Sequence, residues 1–397
     1  GGQIEWGYYE EKEPRLVHPR DILQKHEARL SPSQRDLDME QILEPLERAI
    51  ELTPILGELG YNEGHSFNGL LQVTTDGGAS FGESQKVRGL WYAVAVWVKD
   101  GPAYGKLIAD MMTDGHTDID IHGADFARFY PHQMEEQFIH DRCSETAMKV
   151  YNPAVHPREP FSKGRNIRRS PFWEREKELG AHFMELGGWE RAHGYAANNH
   201  LLEKYADRVP VRENEWDNRH FWRVSNAEHL AMSDDCGMVN LSHFAVYDVS
   251  GPDHEAFMEY VCVAKVGGNT PVGRGIYTHF LDERGGVRAD LTVIRMEDRY
   301  RVIDGADAGP RDFAYLKRLA QDKGFDVTVE DRTTDYGCIG VWGPNARVNL
   351  QKVVDDPDAL EVANFPFATI KQIRIGGVPV TAFRISYVGE QGWELHF

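Results

Sequence analysis

A multidomain chain of mixed α+β and α/β type is the fold class the sequence predicts, on three observations. A strand, a turn and a helix follow one another over residues 89–115; a stretch rich in Arg, Pro and Trp fills 141–205; and the remainder repeats itself at offsets of 92 and 91 residues. With 397 residues, 41% apolar and 27% charged, the chain can bury a sizeable core and supports two or three globular units.

In the first unit, residues 1–140, Leu43, Leu46, Ile50, Leu52 and Leu59 recur at helical spacing and predict a helix over 39–59. The longest apolar run, Trp91–Val98, is far short of the ~20 residues that cross a bilayer, so it reads as a buried strand. Lys99-Asp100-Gly101-Pro102 then introduces a helix over 103–112 that stops at Gly115, with Pro in the first turn and Gly past the last. Strand, turn and helix make half of an α/β nucleotide-binding unit. Backbone N–H groups at a helix start stabilise negative charge. Val98, Gly101 and Ala103 are therefore candidates to face the anionic edge of a reduced flavin, although any buried strand feeding a helix offers the same geometry.

The connector, residues 141–205, is interrupted by Pro153, Pro157, Pro160 and Pro171 before a helix predicted over 173–185. Its runs Arg168-Arg169-Ser170-Pro171-Phe172-Trp173-Glu174-Arg175-Glu176 and Gly187-Gly188-Trp189-Glu190-Arg191 mix ring faces with guanidinium and carboxylate groups. Such a mixture suits stacking and ion pairing, as in a clamp between domains.

In the third unit, residues 206–397, Val249-Ser250-Gly251-Pro252 opens a helix over 253–261 and Val341-Trp342-Gly343-Pro344 another over 345–353. Downstream, Gly285-Gly286 and Gly376-Gly377 each turn a strand pair, so an α+β unit is duplicated. In Gly285-Gly286-Val287-Arg288-Ala289-Asp290-Leu291-Thr292-Val293 the glycines allow a tight turn, and Val and Thr favour the strand that follows. An acid there is out of character. The second copy has Thr381 at the equivalent position, so Asp290 belongs to one copy only. Asp290 either caps its own turn through an Asx-type hydrogen bond or stands at the domain mouth to accept a proton from, or orient, an amine or pterin nitrogen. Ser386-Tyr387-Val388-Gly389-Glu390-Gln391-Gly392-Trp393-Glu394 pairs two acids with two aromatics. It suits a flat heterocycle with several N–H donors, or else a solvated turn.

Charge narrows the partners. The 44 basic and 63 acidic residues give a net charge of −19, which argues against nucleic acid or an anionic membrane surface and leaves a small-molecule partner open. Cys143, Cys236, Cys262 and Cys338 show no Cys-x-x-Cys spacing, so a reducing compartment is expected, cytoplasm or mitochondrial matrix. The histidines follow no ligand pattern, and no metal site is expected. Gly273-Arg274-Gly275 lacks a βαβ context, and no serine nucleophile elbow is present. The chain opens on Gly1-Gly2-Gln3 and closes on Trp393-Glu394-Leu395-His396-Phe397 within a strand pattern, so it reads as a fragment whose targeting signal would lie outside it.

At these residues the sequence resembles the flavin-dependent dimethylglycine and sarcosine dehydrogenase family, over nearly its whole length. Residues 60–130, with Gly89-Leu90-Trp91 and Asp114-Gly115, resemble the closing part of a D-amino-acid-oxidase-like flavin domain. Arg169-Ser170-Pro171 to Gly187-Gly188-Trp189-Glu190-Arg191 resembles the family's central connector domain. Asn240-Leu241-Ser242-His243, Gly251-Pro252, the Asp290 strand, Gly343-Pro344 and Tyr387-Val388-Gly389-Glu390 resemble the T-protein-like folate-binding domain with internal duplication.

The resemblance implies that FAD, held mostly by residues preceding this chain, oxidises the N-methyl carbon of a small amino acid such as dimethylglycine or sarcosine. Electrons pass to an acceptor, and the one-carbon unit is captured on tetrahydrofolate. It implies that Asp290 is the catalytic acid beside the folate nitrogens, that Tyr387 and Glu394 hold the pterin, and that Glu390 also binds folate. Where the family pattern has an asparagine, this chain reads Val302-Ile303-Asp304-Gly305. Two other readings stand beside this one: a tetrahydrofolate-dependent aminomethyl or methyl transferase with a degenerate flavin half, and a non-catalytic folate-binding subunit.

Overall fold

The computed structural model describes residues 4–10, 14–28, 31–62, 64–152 and 155–397; Gly1-Gly2-Gln3 and Pro153 lie outside them. Helices α1 (Met39–Leu52) and α2 (Ile55–Leu59) replace the single helix predicted over 39–59. Pro54 has no N–H to donate and forces the preceding residue out of the helical region. Thr53 accordingly takes φ −139°, ψ 78°.

Strands β1 (Ser80–Glu83) and β2 (Trp91–Val94) form a two-stranded antiparallel sheet. The buried strand predicted over 91–98 is thus shorter and belongs to a hairpin rather than to the parallel sheet of a nucleotide-binding unit. Ala95 leaves the strand at φ 53°, and Val98 is 97% exposed. Helix α3 (Gly101–Asp114) follows as expected, closed by Gly115 in the left-handed conformation with its N–H on the Met111 carbonyl.

After helix α4 (Glu136–Tyr151), helix α5 (Trp173–Glu178) is much shorter than the helix predicted over 173–185. The charged run has helical propensity, but Gly180 at φ +71° ends it against Ala196. The chain then turns into hairpin β3 (Ala181–Leu186) and β4 (Trp189–Tyr195) through Gly187-Gly188. The expected stacking and ion pairing are present. Arg168 lies between the rings of Tyr130 and Trp189, 3.8 and 4.0 Å from their centroids. Arg165 holds Glu190 through two hydrogen bonds of 2.8 and 2.7 Å. Helix α6 (Trp222–Asp234) leads out of the connector.

The first repeat comprises β5 (Gly237–Asn240), β6 (Ala245–Ser250), α7 (His254–Val261), β7 (Gly275–Leu281), β8 (Val287–Arg295), β9 (Arg299–Asp304) and α8 (Gly309–Lys323), and β10 (Thr328–Asp331) then leads into the second. The second comprises β11 (Cys338–Trp342), α9 (Ala346–Leu350), β12 (Ile370–Ile375), β13 (Val378–Phe383) and β14 (Gly392–His396). One antiparallel sheet runs β10-β6-β9-β8-β7 and the other β12-β13-β14-β11-β5. The shared order β6-β9-β8-β7 and β11-β14-β13-β12 establishes the duplication as structural. Two strands cross over: β5, beside the first repeat in sequence, pairs with β11, and β10, just before the second, pairs with β6.

Each sheet packs one face on its own core. Val249, Leu291 and Val302 meet Phe257 and Leu316 in the first, and Val341, Trp393 and Leu395 meet Leu360 and Phe365 in the second. The opposite faces meet through Ile294 and Ile303 on one side and Phe383 and Ile385 on the other. This seam is tight at Gly275, where an added Cβ would come within 2.4 Å of the Phe383 ring. Gly275→Ala is expected to lower stability by about 1–3 kcal/mol. Denaturant midpoints read this; an unchanged midpoint means that the seam yields.

Candidate functional site

Strand alternation decides what faces the seam. Along β8, Ala289, Leu291 and Val293 enter the first core, which sends Asp290, Thr292 and Ile294 to the other face. Asp290 pairs with His279 near the turn end of the strand and is exposed, and its Oδ2 accepts a hydrogen bond from the Tyr277 hydroxyl at 3.0 Å. The turn has a different cap. Asp282 Oδ1 accepts from the backbone N–H of Gly286 at 2.7 Å and of Arg284 at 2.9 Å, and these bonds hold its carboxyl below the usual range. Asp290 is therefore free of the turn-capping role.

One step further into the seam, Thr292 Oγ1 lies 3.2 Å from the hydroxyl of Tyr387. Tyr387 as a whole is half exposed, but desolvation of its hydroxyl raises its pKa, and the charges of Glu394 and Asp290 raise it further. Residues nearly a hundred positions apart thus share one electrostatic neighbourhood. Glu394 is the buried member, 2% exposed, on β14 opposite Gly340 and Phe383. Its Oε2 has no hydrogen-bond partner among the described residues, although His396 Nε2 is 3.4 Å away. Cys338 Sγ approaches the same nitrogen at 3.7 Å. Sequence spacing alone compared histidine with histidine; the structure sets one histidine beside a cysteine and a glutamate.

Other sequence candidates sit apart. Glu390 is half-buried in the bend over 387–390, and no hydrogen bond or ion pair joins it to Asp290, Tyr387 or Glu394 among the described residues. Val98, Gly101 and Ala103 flank the start of α3, where the Gly101 N–H bonds the Trp97 carbonyl and the Tyr104 N–H that of Asp100. Val98 and Ala103 are exposed, so these three residues do not by themselves enclose a flavin. A tetrahydrofolate ring fits the seam residues better. The unpartnered Glu394 oxygen wants N–H donors, Tyr387 offers a ring face, and Asp290 an accessible carboxylate.

Sequence reasoning missed a buried polar cluster behind β8. Arg288 donates to His122 Nε2 at 3.1 Å, and Arg311 grips Asp312 with two hydrogen bonds of 2.9 Å. Burial, then the Asp312 charge, pushes the Asp304 carboxyl well above its usual range. The signal was available: Asp304 is an acid closing a strand directly after Val302-Ile303.

Two desolvated histidines set an acid limit. His243 is pushed down to about 3 by burial and then by Arg191 and His193, and His132 to about 4 by burial and then by Arg168 and Arg142. Both stay neutral in the fold and take up protons only when unfolded. Stability is therefore full above the ordinary histidine pKa and falls as pH drops through 6.5 toward those values. His243 alone accounts for about 2 kcal/mol of the loss at pH 5. His243→Gln should flatten the pH dependence of the unfolding midpoint between pH 7 and 4.5, whatever its effect at neutral pH; an unaltered slope contradicts this.

The "GCVT N-terminal domain" family model matches residues 172–397, and the "FAD dependent oxidoreductase central domain" model matches 114–170. The chain is similar to human "Sarcosine dehydrogenase, mitochondrial", 28% identical over 91% of this chain and 42% of that protein. It is 30% identical to "4-methylaminobutanoate oxidase (formaldehyde-forming)" of Paenarthrobacter nicotinovorans, over 88% and 41%, and 27% identical to rat "Dimethylglycine dehydrogenase, mitochondrial", over 90% and 40%. It spans about two-fifths of the length of these relatives. Among the described residues no helix is long and apolar enough to cross a membrane.

Proposed function

The chain belongs to the GCVT N-terminal domain family and carries an FAD dependent oxidoreductase central domain before it, and from this we propose that it is part of an FAD-linked oxidoreductase. That enzyme demethylates a small N-methyl amino acid and passes the one-carbon unit to tetrahydrofolate at the seam between the two sheets. In this reading residues 1–140 complete a flavin domain, 141–205 connect, and 206–397 bind folate. One observation carries it: Tyr387 meets Thr292 of the Asp290 strand across that seam, and the charges of both Glu394 and Asp290 bear on its hydroxyl. Similarity to amine dehydrogenases and oxidases along most of the chain supports it.

Each residue has a task. Glu394, fixed in the middle of a sheet, receives the N–H donors of the pterin edge and so orients the ring. Tyr387, held by Thr292, covers the ring and keeps water from it. Asp290 stands at the open end of the strand, where a carboxylate can take a proton from a nitrogen that is gaining a carbon. Tetrahydrofolate supplies the nucleophilic nitrogens that capture the one-carbon unit. Val98, Gly101 and Ala103 would meet the flavin at one edge only, and Glu390 would approach the folate from the bend over 387–390.

The test is anaerobic addition of sarcosine, dimethylglycine and related N-methyl amino acids to the full protein. Bleaching of flavin absorbance, with formaldehyde formed without tetrahydrofolate and methylene-folate with it, is the expected result. No flavin absorbance, or none that any such amine bleaches, overturns the proposal.

A further inference from the structure

Cys338 and His396 are direct partners across the β11–β14 ladder, and Glu394 is two residues from His396 on the same strand. Side chains two apart, and those of direct cross-strand partners, leave a sheet on the same face. A thiol, an imidazole and a carboxylate are thereby collected at one place. Cys338 Sγ lies 3.7 Å from His396 Nε2, His396 Nε2 lies 3.4 Å from Glu394 Oε2, and one donor atom from each residue falls within 4.8 Å of the others. The three residues are 4%, 6% and 2% exposed.

Two independent features point to a cation. The first is geometric. A tetrahedral zinc ion bonds sulfur at ~2.3 Å, imidazole nitrogen at ~2.0–2.1 Å and carboxylate oxygen at ~2.0–2.2 Å, which sets the donors roughly 3.3–3.6 Å apart. The sulfur–nitrogen and nitrogen–oxygen separations, 3.7 and 3.4 Å, already lie at about those values, and the sulfur and carboxylate oxygen, within 4.8 Å of each other, close by about an ångström at most. The second is an unmet need: Glu394 Oε2 is buried without a hydrogen-bond donor among the described residues, and its ion-pair partner is the same histidine rather than a lysine or arginine. A carboxylate left in that condition is costly, and a metal ion removes the cost.

We propose that Cys338, His396 and Glu394 form a three-ligand site for a borderline-soft divalent cation of the zinc class, with a fourth position open to water or another ligand. As the ion enters, the Cys338 thiol gives its proton to solvent and its sulfur takes the metal, while His396 binds through Nε2. The site shares Glu394 with the pterin contact proposed above. Metal and folate therefore exclude each other, and this last consequence alone rests on the folate reading.

The test is X-ray absorption at the zinc edge on full protein stripped with chelator and reloaded with one equivalent of zinc chloride. One sulfur with light-atom scatterers, and a thermal midpoint raised by zinc, is the expected result. Cys338→Ser should lose the sulfur, bind zinc at least ~10-fold more weakly and show no zinc-dependent midpoint; His396→Gln is the second variant should the first fail to fold. A shell of nitrogen and oxygen alone in the parent, or a sulfur shell surviving Cys338→Ser, overturns the proposal. A tetrahydrofolate titration separates the two readings. Zinc held by sulfur and not displaced by folate leaves the metal site standing and removes the pterin from Glu394. Folate bound where zinc does not bind overturns the metal site and leaves the folate reading intact.

Discussion

Asp290→Ala leaves amine-dependent flavin bleaching within about twofold of the parent while slowing capture of the one-carbon unit about 100-fold, so that formaldehyde accumulates even with tetrahydrofolate present. The size follows from the contribution of a positioned acid–base group, about 10²- to 10⁴-fold, taken at its lower end because the carboxylate is solvent-accessible. The division of labour follows from position. Asp290 touches Tyr277 and lies over the seam, and it caps no turn, since Asp282 does that. The substitution should therefore leave the hairpin intact. Stopped-flow absorbance and a formaldehyde assay on the same samples read the two steps separately; equal loss of both would contradict the assignment.

Glu394→Gln acts earlier, on binding. A buried carboxylate receiving two N–H donors contributes about 1.5–3 kcal/mol per charge-assisted hydrogen bond. Exchange of one oxygen for an NH2 group, which can only donate, is expected to weaken tetrahydrofolate binding by about 100-fold or more. Flavin bleaching is unaffected, as for Asp290→Ala, but here saturating folate restores capture, whereas with Asp290→Ala it does not. Isothermal titration gives the affinity. An affinity within threefold of the parent would remove Glu394 from the folate site.

The duplication was legible because its signals are local and chemical: Gly251-Pro252 and Gly343-Pro344 open helices, and two glycine pairs turn hairpins. Asp290 was legible because an acid in an apolar strand violates its surroundings. Helix lengths misled wherever one residue overrode the propensity of a long run, as Pro54 does after α1 and Gly180 after α5. Val98 misled for the opposite reason. An apolar run gives no sign of where a strand stops, and Ala95 stops this one. Cys338 and His396 could not be associated from sequence, because only the β11–β14 register brings residues 58 positions apart into contact. The same holds for β5 and β10, whose partners depend on how the two repeats embrace.

That embrace has a consequence for making and breaking the molecule. With β5 completing the second sheet and β10 the first, each repeat taken alone is deprived of one edge strand and carries another that has nothing to pair with. The arrangement is the single-chain counterpart of a strand-exchanged pair of identical subunits. Severing the chain between α8 and β10 should therefore yield pieces that stay insoluble apart yet rejoin when mixed, and the intact protein should melt in this region as one unit, without a half-folded stage.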